Sequence, residues 1–136
     1  MPRPRSREVF GGGIRAAIYA RVSTADQQTI PDQVRRLSEL ARRRGWKIVR
    51  IEREVASGAA KRAKRDELLV GARRREFDAI LVWKLDRWGR SVADLVATLN
   101  ELNSLGVAFV SMTEALDMST PSGRALAGML AVFAEF

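Results

Sequence analysis

Two polar segments carry the residue types that could do chemistry in this chain. Each segment directly follows an apolar run, and each places arginines beside a hydroxyl, amide or carboxylate group. The residues are Arg21, Ser23 and Gln27 after the run Ile14–Ala20, and Asp86, Arg87 and Arg90 after the run Ala79–Trp83. Because arginine binds phosphate oxygens through two parallel hydrogen bonds, these segments predict a phosphate-binding site.

A serine among arginines is suited to phosphoryl transfer. Neighbouring positive charge stabilises a serine alkoxide, so Ser23 is a candidate nucleophile, and a covalent intermediate splits one difficult step into two. Attack on a phosphodiester adds charge to its non-bridging oxygens, which Arg21, Arg87 and Arg90 would stabilise. The leaving group in DNA or RNA is a sugar oxygen that needs a proton, and Asp86 or one of the arginines could supply or relay it.

Each of these residues also has a plainer interpretation. Ser23 or Thr24 could only cap a helix, since Thr24 and Gln27 have the spacing of a capping box. The two arginines of the second segment could form a solvated helix start. Asp86 could be an ion-pair partner that holds an arginine in place rather than an acid.

The composition limits the chemistry and indicates a polyanionic partner. There is no cysteine and no histidine, which excludes disulfides, thiolate nucleophiles, Ser-His-Asp triads and the usual zinc sites. The formal net charge is +8, and 20 of the 24 basic residues are arginines. Arginine bias favours a phosphate-rich partner, although GC-rich coding would produce it as well.

Alternating apolar runs and amphipathic segments predict the elements that position these residues. Four strands alternate with four helices, which implies right-handed crossovers and an α/β fold with three layers. The predicted strands are Ile14–Ala20, Trp46–Arg53, Ala79–Trp83 and Val107–Met112, and the predicted helices begin at Pro31, Arg65, Val92 and Pro121. Ser91 and Thr120 are predicted to cap the last two helices, and Gly45 to end the first. Glu54–Lys64 is predicted as a mobile basic loop and Thr113–Ser119 as a second loop. Residues 1–13, with three arginines and a Gly triplet, are predicted to be a disordered basic lead-in to one domain over residues 14–136.

The sheet should be mainly parallel, with four or five strands in a flavodoxin-like order. In that order the first and third strands are neighbours, so Ser23 would lie among the guanidinium groups of the second segment at the carboxyl edge of the sheet. The predicted site can therefore form only if the strands are in this order.

The last helix is predicted to be long and to pack on a partner as well as on its own domain. Its apolar residues cover more than one stripe of a helix, and a helix wholly buried in its own core is the alternative. They are Ala125, Leu126, Met129, Leu130, Val132, Phe133 and Phe136. The pattern stops at Phe136 without a capping residue, so a truncated helix is expected.

Three separated motifs resemble the catalytic domain of the serine recombinases, the resolvases and invertases. They are Tyr19-Ala20-Arg21-Val22-Ser23-Thr24 with Gln27, Ala56-Ser57-Gly58 with Arg65, and Leu85-Asp86-Arg87-Trp88-Gly89-Arg90. They occur in the family's order, and the resemblance runs from Ile14 to Phe136. Glu54 stands where that family commonly has an aspartate.

The resemblance implies a site-specific recombinase that cleaves and rejoins DNA. Ser23 would attack a phosphodiester to give a 5′-phosphoserine bond and a free 3′-hydroxyl. Arg21, Arg87 and Arg90 would hold the scissile phosphate and Asp86 would order them. Gln27, Gln33 and Arg65 would support the phosphate-binding residues.

The resemblance further implies no metal and no other cofactor. It implies a homodimer built on the last helix and a tetramer during strand exchange, and we expect the family's DNA-binding domain to be absent from this piece. The competing hypotheses are a noncatalytic flavodoxin-like module and a DNA-binding accessory module. No run of about 20 apolar residues occurs and no hydrophobic segment follows the basic N-terminus, so no membrane association and a cytoplasmic location are expected.

Overall fold

A five-stranded sheet flanked by helices forms the core of the protein. The computed structural model describes residues 13–23, 29–57 and 60–134, so Gln27 and most of the predicted lead-in lie outside the described residues. The strands are β1 (Arg15–Val22), β2 (Lys47–Val55), β3 (Ala79–Val82), β4 (Ala108–Ser111) and β5 (Leu116–Asp117). The helices are α1 (Ile30–Arg43), α2 (Ala63–Arg73), α3 (Leu85–Trp88), α4 (Val92–Ser104) and α5 (Pro121–Ala134).

The strand order is β2-β1-β3-β4-β5, which confirms the flavodoxin-like order. The first four strands pair in parallel, and β5 pairs with β4 in antiparallel orientation. All four residues of β3 are buried, as expected for an apolar run at the centre of a parallel sheet. The carboxyl ends of β1 and β3 therefore lie side by side.

Alternate residues of β1 separate the two layers of helices. Ala17 and Tyr19 face one apolar cluster, to which α2, α4 and α5 contribute residues such as Leu68, Leu99 and Ala127. Ala16 and Ile18 face the other cluster, which contains Leu37 and Ala41 of α1. This alternation buries both faces of the sheet.

Helix ends follow the predicted capping residues. The Ser91 hydroxyl accepts a hydrogen bond from the backbone N–H of Asp94 at 3.1 Å, which caps α4. The Thr120 hydroxyl accepts from the N–H of Gly123 at 3.0 Å at the start of α5. After α1, Gly45 has φ +71°, a left-handed conformation that glycine adopts at little cost.

Three local predictions were wrong. The predicted loop Glu54–Lys64 is shorter, because β2 extends to Val55 and α2 begins at Ala63. The loop Thr113–Ser119 contains β5, and two paired residues are too few to produce a recognisable alternation. The helix α3 was not predicted, because four residues are too few to show a helical period. It forms where the Trp88 side chain is buried in the core.

Helix α5 buries one face and leaves the other open. Gly123 and Ala127 are buried, whereas Leu126, Met129 and Val132 are 43%, 56% and 56% exposed. A Cβ atom on Gly123 would lie 1.7 Å from the carbonyl oxygen of Asp117, so this close approach requires glycine. None of the helices in the described part of the chain is both long and apolar enough to cross a membrane.

Candidate active site

The first candidate segment leaves the sheet at the carboxyl end of β1. Val22 is the last residue of the strand, and Ser23 follows it with a partly exposed side chain. Arg21 lies two residues earlier and is only 4% exposed. The strand therefore carries the arginine inside the protein and delivers the serine to the surface.

The Arg21 guanidinium joins three neighbouring strand ends. Its Nε donates to the carbonyl of Arg87 at 2.9 Å, its Nη2 to the carbonyl of Asp86 at 2.8 Å and its Nη1 to the carbonyl of Ala56 at 2.5 Å. Burial lowers the pKa of Arg21 below its usual value, and the nearby Arg87 guanidinium lowers it further. These bonds bring the first and second candidate segments together, as the strand order predicted.

The second segment forms α3 and the residues after it. The Asp86 side chain is 74% exposed and lies 3.9 Å from the Nε of Arg87, so it pairs only weakly with that arginine. The Arg87 side chain is 25% exposed, and its buried Nε has no hydrogen-bond partner among the described residues. Arg90 is exposed, and its backbone N–H donates to Asp94 at 2.8 Å. The Arg87 side chain is thus only weakly paired within the protein and partly accessible to an anion.

Trp88 anchors this segment in the core. It is fully buried, its Nε1 donates to the Thr98 hydroxyl at 2.8 Å, and its ring meets Tyr19 and Phe109 edge to face, each at 5.4 Å between centroids. The carbonyl of Trp88 accepts from Arg62 at 2.7 Å and from Arg65 at 3.1 Å. The residue next to Arg87 is therefore held from both its side chain and its backbone.

Arg65 is committed to a carboxylate. It is 4% exposed and forms an ion pair with Asp94 through Nη1, with a second bond from Nη2 at 3.3 Å. Burial by itself lowers the pKa of Arg65, but the bonds from Asp94 outweigh it and raise that pKa above its usual value. Its geometry fits the predicted supporting role, since it holds the Trp88 carbonyl.

Gln33 supports the end of β1 from α1. It is 4% exposed, and its Nε2 donates to the carbonyl of Arg21 at 3.3 Å. Gln27, predicted for a similar role, lies outside the described residues. Of the predicted site residues that the structure describes, Arg21, Gln33, Arg65, Asp86 and Arg87 are joined by these contacts.

Arg62 and Glu54 lie beside the candidate site, and sequence reasoning gave neither a part in it because both fell in the predicted mobile loop. Arg62 is fully buried, and burial lowers the pKa of its guanidinium, with Arg21 lowering it further. The Glu54 carboxylate accepts from the Tyr19 hydroxyl at 2.6 Å and from the backbone N–H groups of Lys64 and Arg65 at 2.9 and 3.3 Å. It therefore caps α2 from a neighbouring strand. The sequence signal for Glu54 was its position where the resembled family commonly has an aspartate.

The edge of the sheet is electropositive. Three arginines are buried there, Arg21, Arg62 and Arg65, against two carboxylates, Glu54 and Asp94. In the described part of the chain, no three acidic, histidine or cysteine residues are grouped as a metal would require. Surplus guanidinium charge in a partly buried setting attracts an anion and stabilises further negative charge on it.

Comparison with known proteins gives a family match over almost the whole chain. The family model described as the N-terminal domain of resolvase matches residues 16–136. The transposon Tn552 DNA-invertase BinR of Staphylococcus aureus is 40% identical over 121 residues, covering 87% of this chain and 58% of that protein. The DNA-invertase of Escherichia phage P1 is 45% identical over 58 residues, covering 43% of this chain and 31% of that protein. The chain thus spans only part of the length of these relatives.

Solved structures agree with the sequence match. The N-terminal catalytic domain of TP901-1 integrase is similar with a TM-score of 0.82 and 32% identity, covering 90% of this chain and 95% of that one. A resolvase family site-specific recombinase from Streptococcus pneumoniae shares the fold, with a TM-score of 0.77 and 23% identity over 90% of this chain and 86% of that one.

Proposed function

Because this chain belongs to the resolvase family of serine recombinases, we propose that the full-length protein is a site-specific DNA recombinase with Ser23 as its nucleophile. The observation that carries the proposal is the triple contact of Arg21, which holds the Ser23 segment against the Arg87 segment. This contact supports a single phosphate-sized site formed by both segments.

In the proposed reaction, Ser23 Oγ attacks the phosphorus of a DNA phosphodiester. The Ser23 hydroxyl gives up its proton as the Oγ–P bond forms. The P–O3′ bond breaks, its electron pair leaves with O3′, and O3′ takes up one proton to become a hydroxyl, so the number of protons is unchanged. The product is a 5′-phosphoserine bond, and the reverse attack by a 3′-hydroxyl rejoins the strand. Because one phosphate ester replaces another, rejoining needs no additional energy source.

We assign the phosphate-binding roles by exposure. The partly exposed Arg87 and the exposed Arg90 would contact the non-bridging oxygens as charge develops on them. The buried Arg21 would contribute its positive charge from inside the protein and hold the two segments together. Gln33 and Arg65 would act through the backbone they hold, Gln27 would assist from the first segment, and Asp86 would order Arg87.

The proposed partners are DNA and further copies of this protein. The exposed apolar residues Leu126, Met129 and Val132 are spaced by three along α5, so they form one stripe. An apolar stripe of this kind needs a cover. We propose that α5 of a second copy covers it, which gives a homodimer. Two such dimers would associate into a tetramer during strand exchange.

The test uses the full-length protein and a supercoiled plasmid that carries the DNA flanking its gene. Wild-type protein should give a covalent protein–DNA complex that withstands denaturation, with the phosphate located on Ser23 by mass spectrometry after nuclease digestion. Ser23→Ala should bind the plasmid equally well and give no complex. Ser104→Ala, on an exposed serine at the end of α4, is the control and should behave as wild type.

Two outcomes would contradict the proposal. A covalent complex in Ser23→Ala would exclude Ser23 as the nucleophile. Salt-sensitive DNA binding without any cleavage by the wild-type protein would instead favour a noncatalytic DNA-binding module.

A further inference from the structure

Glu114 contacts the start of the arginine-bearing helix α3 from the turn between β4 and β5. Its two carboxylate oxygens each lie 3.3 Å from the backbone nitrogen of Leu85, the first residue of α3. Lys84, the residue before α3, offers no side-chain cap. The glutamate therefore supplies the acceptor that the first turn of α3 otherwise lacks.

The Glu114 carboxylate is itself held by two hydroxyl groups. The fully buried Ser111 donates to its Oε1, and Thr113 donates to the same oxygen at 3.1 Å. A carboxylate fixed by two donors loses less side-chain freedom when it binds a third. Glu114 is thus already positioned to receive the N–H of Leu85.

The backbone around Glu114 is also fixed against β3. The N–H groups of Met112 and Thr113 donate to the carbonyls of Val82 and Trp83, each at 3.0 Å. Ala115 has φ +54°, a left-handed conformation that costs a non-glycine residue about 1 kcal/mol or more. The turn that directs Glu114 towards α3 is therefore maintained at the expense of local strain.

We propose that Glu114 is a positioning residue for the reaction, acting on the scissile phosphate through Arg87. It holds the amino end of α3, so it sets where that helix presents Asp86 and Arg87. The proposal rests on the proposed function and adds a residue that belongs to neither candidate segment. The same turn continues through β5 into α5, so it also connects the arginine-bearing helix to the stripe assigned to the dimer.

The test compares Glu114 variants of the full-length protein in the covalent-complex assay. Glu114→Ala should form the complex about tenfold to a hundredfold more slowly, since small displacements of a positioned group cost that much. Glu114→Gln keeps an oxygen for the N–H of Leu85 and should recover most of the rate. Glu39→Ala, on a partly exposed glutamate of α1, is the control and should leave the rate unchanged.

A double-mutant comparison separates action through Arg87 from general damage. In an Arg87→Lys background, Glu114→Ala should slow the reaction less than threefold further, because the group it positions has already been altered. The same multiplicative loss in both backgrounds would overturn the proposal. Equal inactivity of Glu114→Gln and Glu114→Ala would also overturn it, since the charge and not the position would then matter.

Amide hydrogen exchange tests the contact without any catalysis. The N–H of Leu85 should exchange at least tenfold faster in Glu114→Ala than in the wild-type protein, and an unchanged rate would overturn the proposal. If the wild-type protein forms no covalent complex, the proposed function fails, and this exchange rate still reports on the hold of Glu114 on α3.

Discussion

The guanidinium of Arg21 donates to the backbone carbonyl of Arg87 at 2.9 Å, although 66 residues separate the two along the chain. Arg21, at the end of β1, thus holds the backbone of Arg87, which follows β3. Two positive side chains gain no attraction from each other, so their proximity is maintained by carbonyl acceptors and by the buried Trp88. A site that must stabilise an anion can be preorganised in this way before the anion arrives.

Arg21→Lys should weaken both stability and cleavage. A single ammonium group cannot reach three carbonyls on the segments after β2 and β3, so we expect the free energy of unfolding to fall by about 2 kcal/mol. The covalent complex should form at least tenfold more slowly. Chemical denaturation and the covalent-complex assay measure the two effects.

Arg15→Lys is the matched control for Arg21→Lys. Arg15 lies on the same strand at the opposite edge of the sheet, where its side chain pairs with Asp78 at 3.2 Å. Its replacement should reduce stability by about 1 kcal/mol and leave cleavage unchanged. A similar loss of cleavage in both variants would show that Arg21 acts only through stability.

Tyr19 should remain protonated in alkali for as long as the protein stays folded. Burial, and then the hydrogen bond to Glu54, raise the pKa of Tyr19 far above its usual value of 10.0. The stabilisation this provides is fully present below pH 10.0, the value expected for the unfolded chain, and declines as pH rises above it. Because Tyr19 is the single tyrosine of the chain, tyrosinate absorbance reports on it alone. A tyrosinate signal that appears near the usual pKa, before the helical circular dichroism is lost, would contradict this.

Asp94 should stabilise the protein at neutral pH and lose that effect in acid. Burial alone raises the pKa of Asp94, but hydrogen bonds from Arg65 and the backbone of Arg90 outweigh it, so the pKa lies below its usual value of 3.8. The contribution is present above that usual value and is lost as pH falls through the lower folded value.

Asp94→Asn tests this dependence by urea denaturation at several pH values. The variant should be less stable than wild type at neutral pH, because the buried Arg65 loses the carboxylate of Asp94 and keeps only that of the more exposed Asp66 at 3.3 Å. The difference should shrink below about pH 4. A difference that stays constant into acid would contradict the prediction.

Gly123→Ala and Gly128→Ala should have opposite effects on stability. A Cβ atom at Gly123 meets the carbonyl of Asp117, and we expect a loss of about 2 kcal/mol or more. At Gly128, on the same helix, nothing lies within 4 Å of the added atom, so alanine should stabilise by roughly 0.5–1 kcal/mol. Thermal unfolding of the two variants checks both signs.

Met129→Glu should weaken the proposed homodimer. A charge in the centre of the apolar stripe would be desolvated in the dimer. We therefore expect the dissociation constant of the dimer, measured by sedimentation equilibrium, to increase at least tenfold. Val70→Glu, on a residue 40% exposed on α2, is the control and should not change the association. Equal effects from both variants would remove the stripe from the interface.

The sequence by itself determined the alternation of strands and helices, the central β3, the caps at Ser91 and Thr120, and the two arginine-bearing segments. These features follow from hydrophobic periodicity and from residues that act on their immediate neighbours, so they can be read within a short window. Only the tertiary structure decided that Arg21 holds the carbonyls of Asp86 and Arg87, that Arg62 is buried, and that Glu54 and Glu114 cap helices on other elements. Each of those contacts joins residues remote in the chain, because a buried polar group must find its partner wherever packing places one. Local pattern therefore predicted which residues could form a site, and packing decided how they are held.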